Sequence, residues 1–150
     1  MFKQALIVLF MASATLAVAQ KVKEAEAHLY APVYSLYYQS GKWELTSENA
    51  KFLDLYVVEA VEKSDIPKVI FYVEGHTDEV GNSDYNMILS QKRAQTVVDY
   101  LISRGFGSNQ IKTSFFGELK PEIRKIAISN KSKDIRYANR RVVVRIEKKY

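Results

Sequence analysis

Val69-Ile70-Phe71-Tyr72-Val73 leads into Gly75-His76-Thr77-Asp78-Glu79-Val80-Gly81, then Tyr85-Asn86, then Leu89-Ser90-Gln91-Lys92-Arg93-Ala94. The unbroken apolar run predicts a strand at the centre of a sheet or covered on both faces. The stretch from Gly75 to Asp84, rich in Gly, Asn, Ser and Asp, predicts a loop. Leu89, Ala94, Val97, Val98 and Leu101 then recur at helical spacing, so a helix follows to about Arg104, closed by Gly105. The unit is strand, loop, helix, with an acid at the strand exit and a base inside the helix.

Outward from this unit, further strands and a further helix are expected, with no internal repeat. Pro32 opens an aromatic strand over 33–38, and Gly41-Lys42 makes a turn. Thr46 or Ser47 can cap a first helix, with Glu48 in its first turn to favour the dipole. Ala50, Leu53, Val57, Ala60 and Val61 form its apolar stripe, and the unit ends around Pro67. Downstream, Ile111, Thr113 and Phe115 alternate with polar neighbours, predicting a half-buried strand. A long polar connection over 117–138 carries Pro121, and Val142, Val144 and Ile146 mark a last strand. The order β-α-β-α-β-(loop)-β puts two main helices on one face of a small sheet, a two-layer α/β sandwich.

A chain of 150 residues holds one domain with short extensions. Hydrophobic content of 47% and charged content of 26% exclude a disordered chain. The absence of cysteine excludes disulfides, thiol chemistry and lipid attachment through sulfur. Lys3, the apolar run from Ala5 to Val18 and the small-x-small site at Ala17-Val18-Ala19 predict a cleaved signal peptide over 1–19. That run is shorter than the ~20 residues a membrane span needs, and no later segment is apolar enough to be one. The expected division is signal 1–19, lead-in 20–32, domain 33–147 and basic tail 148–150. The net charge of +5 is uneven: acids outnumber bases 14 to 10 over 20–118, and bases outnumber acids 11 to 3 over 119–150. Export argues against nucleic acid as the partner of that basic end, and a solvated strand and tail account for most of it.

Asn86, Ser90 and Arg93, spaced four and then three apart, share one stripe of the second helix. The stripe begins in the first turn, where free backbone N–H groups favour an anion. Asp78 on the entering loop and Arg93 on the stripe can converge. Arg offers a fork matched to a carboxylate, and Asp accepts from an ammonium, so together they suit a free amino acid. The same spacing also fits an internal Asp78–Arg93 ion pair or an N-capping Asp78.

Gly75-His76-Thr77-Asp78, Gly81, Tyr85-Asn86, Leu89-Ser90, Arg93-Ala94 and Val97 resemble the signature of the OmpA-like peptidoglycan-binding domain. The resemblance continues through Gly117-Glu118, Pro121, Arg136 and Asn139-Arg140-Arg141-Val142, and covers roughly 33–146. It implies a mixed sheet and a non-catalytic domain that binds peptidoglycan through the diaminopimelate of the stem peptide. By position, Asp78 takes the ammonium of diaminopimelate and Arg93 its carboxylate, with Thr77, Asn86 and Arg140 in supporting contacts. Gly117, Glu118 and Pro121 read as structural, and Arg141 as a solvated strand residue. Two departures stand out. Gln39-Ser40-Gly41 follows Tyr38 where relatives carry Asp or Asn, and the stretch from Pro121 to Arg136 is longer than usual.

Other chemistries fit less well. His76 and Asp78, two apart at a strand exit, could be a base and its orienter, but no nucleophile accompanies them. His76 is expected to be a structural residue, hydrogen-bonded within its loop. Asp78, Asn82 and Asp84 faintly resemble a calcium loop whose closing Glu is replaced by Leu89. Two histidines and no cysteine give no zinc set, so neither metal nor cofactor is expected. Tyr30, Tyr34, Tyr37, Tyr38 and Trp43 could stack on a sugar but read as core, with Tyr38 nearest the pocket. The expected protein is an exported, non-enzymatic periplasmic module that binds the cell wall and reaches the outer membrane, if at all, through a partner. A structural adaptor bridging the wall to another envelope protein is the alternative.

Overall fold

The computed structural model describes residues 32–62, 68–122 and 132–149, with Val18 and Lys21 as isolated positions. The expected signal peptide and most of the lead-in lie outside the described residues. In chain order the elements are strand β1 (Val33–Tyr37), helix α1 (Ser47–Leu53), a π-helical turn (Asp54–Val58), helix α2 (Glu59–Glu62), strand β2 (Lys68–Gly75), helix α3 (Ser83–Ser103), a 3₁₀ turn (Ser108–Gln110), strand β3 (Ile111–Phe115), helix α4 (Ser132–Asn139) and strand β4 (Arg141–Lys149).

The strands form one mixed sheet in the order β1-β4-β2-β3. β2 pairs antiparallel with β4 and parallel with β3, which puts the apolar run of 69–73 at the sheet centre as predicted. Parallel neighbours need a long crossover, and the 21-residue α3 supplies it. Period-two alternation divides the strands cleanly. Leu36, Val69, Phe71, Val73, Val142, Val144 and Ile146 point to one face, where Leu53 and Val57 of the first helical segment and Ala94, Val97, Val98 and Leu101 of α3 cover them. On the other face Tyr72 lies under Arg145, whose guanidinium carbon is 4.1 Å from the ring centroid.

Both helix starts follow their local chemistry. Thr46 caps α1, its Oγ1 accepting from Asn49 N at 3.2 Å. Asn82, not Asp78, caps α3, accepting from Asp84 N at 2.8 Å and Tyr85 N at 3.4 Å. α3 ends as predicted, with Gly105 at φ +93° just beyond Arg104.

Three elements differ from the pattern expected of the sequence. The first helix is not uniform, because the π-helical turn keeps Leu53, Val57 and Val58 inside while leaving Leu55 and Tyr56 exposed. β3 is an edge strand, so only Ile111 of its apolar set is half-buried and Phe115 is exposed. The predicted connection over 117–138 contains α4, whose Tyr137 stacks on Tyr37 of β1 at 5.3 Å. The helix is short and polar on average, so its few apolar residues, among them Tyr137 and the buried Ala138, do not stand out from a connection in the sequence.

Candidate functional site

The site is built where β2 leaves the sheet. Gly75 is required there by close approach: a Cβ on it would lie 2.0 Å from the Ser90 carbonyl oxygen of α3. Strand exit and helix therefore touch backbone to backbone. Ser90 is fully buried; its Oγ donates to Met87 O at 2.7 Å and accepts from Gly117 N at 3.0 Å. His76 N donates to Arg141 O at 2.9 Å, and Thr77 N to Gly117 O at 2.8 Å. The loop carrying Asp78 is thus tied to α3, to the start of β4 and to the turn at Gly117.

Arg93 is buried completely beneath this corner. Its Nε donates to Lys42 O at 2.8 Å, its Nη1 to His76 O at 2.9 Å and its Nη2 to Gln39 O at 3.1 Å. The guanidinium carbon sits 5.3 Å from the Tyr38 ring centroid. One side chain therefore joins the turn after β1 to the exit of β2. Burial lowers the Arg93 pKa to about 10, with Tyr38 and Asp78 acting against the shift, so it stays cationic at neutral pH. Burial likewise pushes the Tyr38 hydroxyl up to about 12.

Asp78 makes its ion pair with Arg140. Arg140 Nη1 lies 2.8 Å from Asp78 Oδ2, and the two side chains keep 14% and 9% of their exposure. Arg140 Nε donates to Tyr38 O at 3.1 Å. The guanidinium is thereby anchored on the end of β1 while facing the loop after β2. Asn86 Nδ2 reaches Asp78 O at 3.4 Å, a long hydrogen bond that supports the backbone rather than the carboxylate. Tyr85 is half exposed, and a Cβ on Gly41 would lie 3.7 Å from its hydroxyl, so Tyr85 spans from α3 toward the turn after β1.

The predicted site residues therefore share one corner but divide differently. Asp78, Thr77, Asn86, Arg93 and Arg140 are all brought together. Of the readings open from spacing, neither the Asp78–Arg93 ion pair nor the capping Asp78 is what the geometry shows; Asp78 pairs with Arg140. Thr77 Oγ1 is buried with no hydrogen-bond partner. The Gln39-to-Lys42 turn meets Arg93 through main-chain carbonyls, which any residue type supplies, so the departure at 39–41 leaves that contact intact. Tyr85 was visible only as part of a motif; its position over Gly41 depends on a contact between distant segments.

Two neighbours are corrected. Arg141 is not a solvated strand residue: it is buried, with Nη2 3.4 Å from Lys120 O and Nε 3.9 Å from the Glu122 carboxylate. His76 is buried, but its ring makes no hydrogen bond within the loop. It packs on Phe116 at 5.5 Å, and the Glu74 carboxylate, 3.9 Å away, is too far to accept from it. Burial above all, then the positive charges of Arg141 and Lys120, lowers its pKa to about 3. A neutral, enclosed imidazole of this kind neither donates nor takes a proton at the surface. Glu118 stands at the start of α3, its carboxyl held below the usual range first by hydrogen bonding with Ser83. Among the described residues no group of His, Asp and Glu could hold a metal ion, and no helix is long and apolar enough to cross a membrane.

With this geometry in hand, similarity to known proteins is informative. The chain is 36% identical over 132 residues to outer membrane protein A of Bordetella avium, covering 86% of this chain and 64% of that protein. It is 34% identical over 89 residues to the peptidoglycan-associated lipoprotein of Haemophilus influenzae, covering 59% of this chain and 56% of the relative. The chain thus spans less than two thirds of these curated relatives' length. Among solved structures, the peptidoglycan-associated lipoprotein of Burkholderia pseudomallei superposes with a TM-score of 0.62 at 26% identity, covering 75% of this chain and 89% of that one. The C-terminal domain of Helicobacter pylori MotB shares the fold at a TM-score of 0.63 and 22% identity, covering 79% of this chain and 85% of that one. The profile of the OmpA family matches residues 37–140, from the end of β1 through both arginine-bearing elements, and the chain belongs to the OmpA family.

Proposed function

We propose that this domain binds peptidoglycan, reversibly and without catalysis, through the diaminopimelate of the stem peptide. The observation that carries the reading is the acid–base corner at the β2 exit. Asp78 follows a central strand and is ion-paired to Arg140, and the loop that carries it is held by Arg93 through His76 O, in a member of the OmpA family. Such a corner is preorganised for a ligand bearing both an ammonium and a carboxylate. Asp78 takes the ammonium, the arginines supply the opposite pole, and Thr77 and Asn86 shape the loop between them. Relatives named for association with peptidoglycan share this fold and sequence pattern, which supports the ligand class. An exported, periplasmic protein follows from the expected signal at 1–19.

Sedimentation with purified sacculi tests the proposal. The domain is expected to pellet with walls containing diaminopimelate and to stay in solution with walls containing lysine at that position. Asp78→Ala is expected to abolish pelleting while leaving the folded spectrum intact. Equal pelleting with both walls, lost steeply as salt rises, would instead identify adhesion by the basic C-terminal end.

A further inference from the structure

The sheet has two edges, and they are not treated alike. At the β1 edge, Asn49 Nδ2 donates to Tyr37 O at 3.2 Å. At the other edge β3 pairs only with β2. Phe116 N donates to Gly75 O, so by parallel alternation Ser114 and Lys112 turn their main-chain groups toward β2, and Ile111, Thr113 and Phe115 turn theirs outward. Among the described residues no side chain caps them. Thr113 and Phe115 are exposed. Beside this edge runs the flank of α3 opposite Thr96 and Tyr100, whose side chains reach Trp43 O and Ala50 O on the α1 side. A Cβ on Gly117, just after β3, would lie 3.3 Å from Met87 N, which places this flank on the β3 side. The flank carries Ile88, Gln91, Gln95, Val98 and Ile102, spaced three, four, three and four, the period of a helix-pairing seam. No charge interrupts that seam, and Ile88 and Ile102 keep 52% and 43% of their exposure.

We propose that β3 and this flank of α3 form a two-fold interface with a second copy of the chain. Pairing β3 antiparallel with its copy about Thr113 sets Ile111 opposite Phe115 and Lys112 opposite Ser114, so apolar side chains pair and no like charges meet. The helices fit the same axis. α3 packs on both β2 and β3, so it lies about one strand spacing, ~4.8 Å, from the axis, and the two copies of α3 run ~10 Å apart, the distance of packed helices. Strand and seam also share a midpoint. The Ser90 carbonyl abuts Gly75, which stands opposite Phe115. Thr113 lies two residues, ~7 Å, before Phe115, and α3 advances ~1.5 Å per residue in the opposite direction, which brings residues 94 and 95 level with Thr113. Gln95 is the middle of the seam, so Ile88 meets the copy's Ile102 at both ends. A strand ~17 Å long beside a seam ~22 Å long makes one of the smaller stable interfaces, ~1,200 Å² in total, and dissociation in the micromolar range is expected. Antiparallel pairing turns the two Asp78 corners to opposite ends, so the dimer bridges two stem peptides. That consequence rests on the wall-binding reading; the dimer itself does not.

Sedimentation equilibrium over a concentration series tests the proposal with no wall present. Wild type is expected to pass from monomer to dimer in the micromolar range. Gln95→Lys and Gln95→Glu each place two like charges at the two-fold axis and are expected to weaken the dimer at least about tenfold, while their equimolar mixture recovers it. Gln95 is exposed on a helix, so both variants are expected to fold as wild type does. The absence of cysteine allows a second measurement. Opposed residues of a hydrogen-bonded antiparallel pair have Cα atoms ~5.5 Å apart, within disulfide range. Thr113→Cys is therefore expected to form a covalent dimer on mild oxidation, and Lys112→Cys, which faces Ser114 across the interface, is not. A wild type that stays monomeric into the millimolar range overturns the proposal. So does a dimer that both Gln95 variants leave intact and that Thr113→Cys fails to capture, since such a dimer uses another face.

Discussion

Arg93→Lys separates support from contact most sharply, because it keeps the charge and removes the geometry. The guanidinium donates from three nitrogens to Lys42 O, His76 O and Gln39 O, and a lysine ammonium at the same depth can reach one of them. At least two carbonyls then lose their partner. An acceptor left unpaired in the interior costs about 1–3 kcal/mol. The His76 carbonyl lies in a buried setting, whereas the bonds to Lys42 and Gln39 are only partly buried, so water can replace some of that loss. Loss of the guanidinium's contact with the Tyr38 ring adds roughly 0.5–1 kcal/mol. Together these come to about 3 kcal/mol. For a domain of this size that corresponds to a fall in Tm of roughly 10 °C. Urea unfolding followed by tryptophan fluorescence measures it directly, since Trp43 sits in the turn region that Arg93 holds and Thr96 Oγ1 donates to its carbonyl at 3.0 Å. A variant within about 1 kcal/mol of wild type would show that the three carbonyl bonds do not hold the corner together.

Two further outcomes follow from the same corner. Gly75→Ala is expected to prevent folding or to cost more than about 3 kcal/mol, because its Cβ would meet α3 backbone, which cannot yield as a side chain can; thermal melting of the variant checks it. His76 makes stability depend on acid: with its pKa near 3 when folded and 6.5 when exposed, only the unfolded chain gains the proton between those values. Its contribution is complete above pH 6.5 and falls by up to about 1.4 kcal/mol per unit as pH drops toward 3. His76→Phe, which keeps the stack on Phe116, is expected to flatten the difference between urea midpoints at pH 4 and pH 7; an unchanged pH slope would remove His76 as its source.

What was legible in the sequence divides along physical lines. Continuous apolar residues and helical stripes mark how much surface each element must hide, and β2, α3 and β4 emerged close to their observed limits for that reason. α4 stayed hidden because it is short and mostly polar, although Tyr137 stacks on Tyr37 and Ala138 is buried. The π-helical turn at Asp54–Val58 was equally invisible, since an extra residue in one turn barely changes an apolar stripe. At the site, residue types and spacing located every member but not who bonds to whom. A motif reports that an arginine is needed at 93; it is silent on whether the need is for a ligand or for three main-chain oxygens.

That distinction matters for how such a corner works. Arg140 lies next to a strand start and reaches back to β1 through Tyr38 O, so its position depends on the β1–β4 pairing, in which Tyr37 stands opposite Arg141. Asp78 depends on β2, Gly117 and α3. The acid follows β2 and its arginine precedes β4, two adjacent central strands, and the arginine leans further on the end of β1; Arg93 runs beneath them, bonded to the turn after β1 and to the exit of β2. A few tenths of an ångström of drift between these segments would lengthen the 2.8 Å pair. Burying a cation costs free energy unless every donor is used. Here the donors are spent on carbonyls of the two segments that must stay in register, so a fully buried arginine sets the geometry around the Asp78–Arg140 pair.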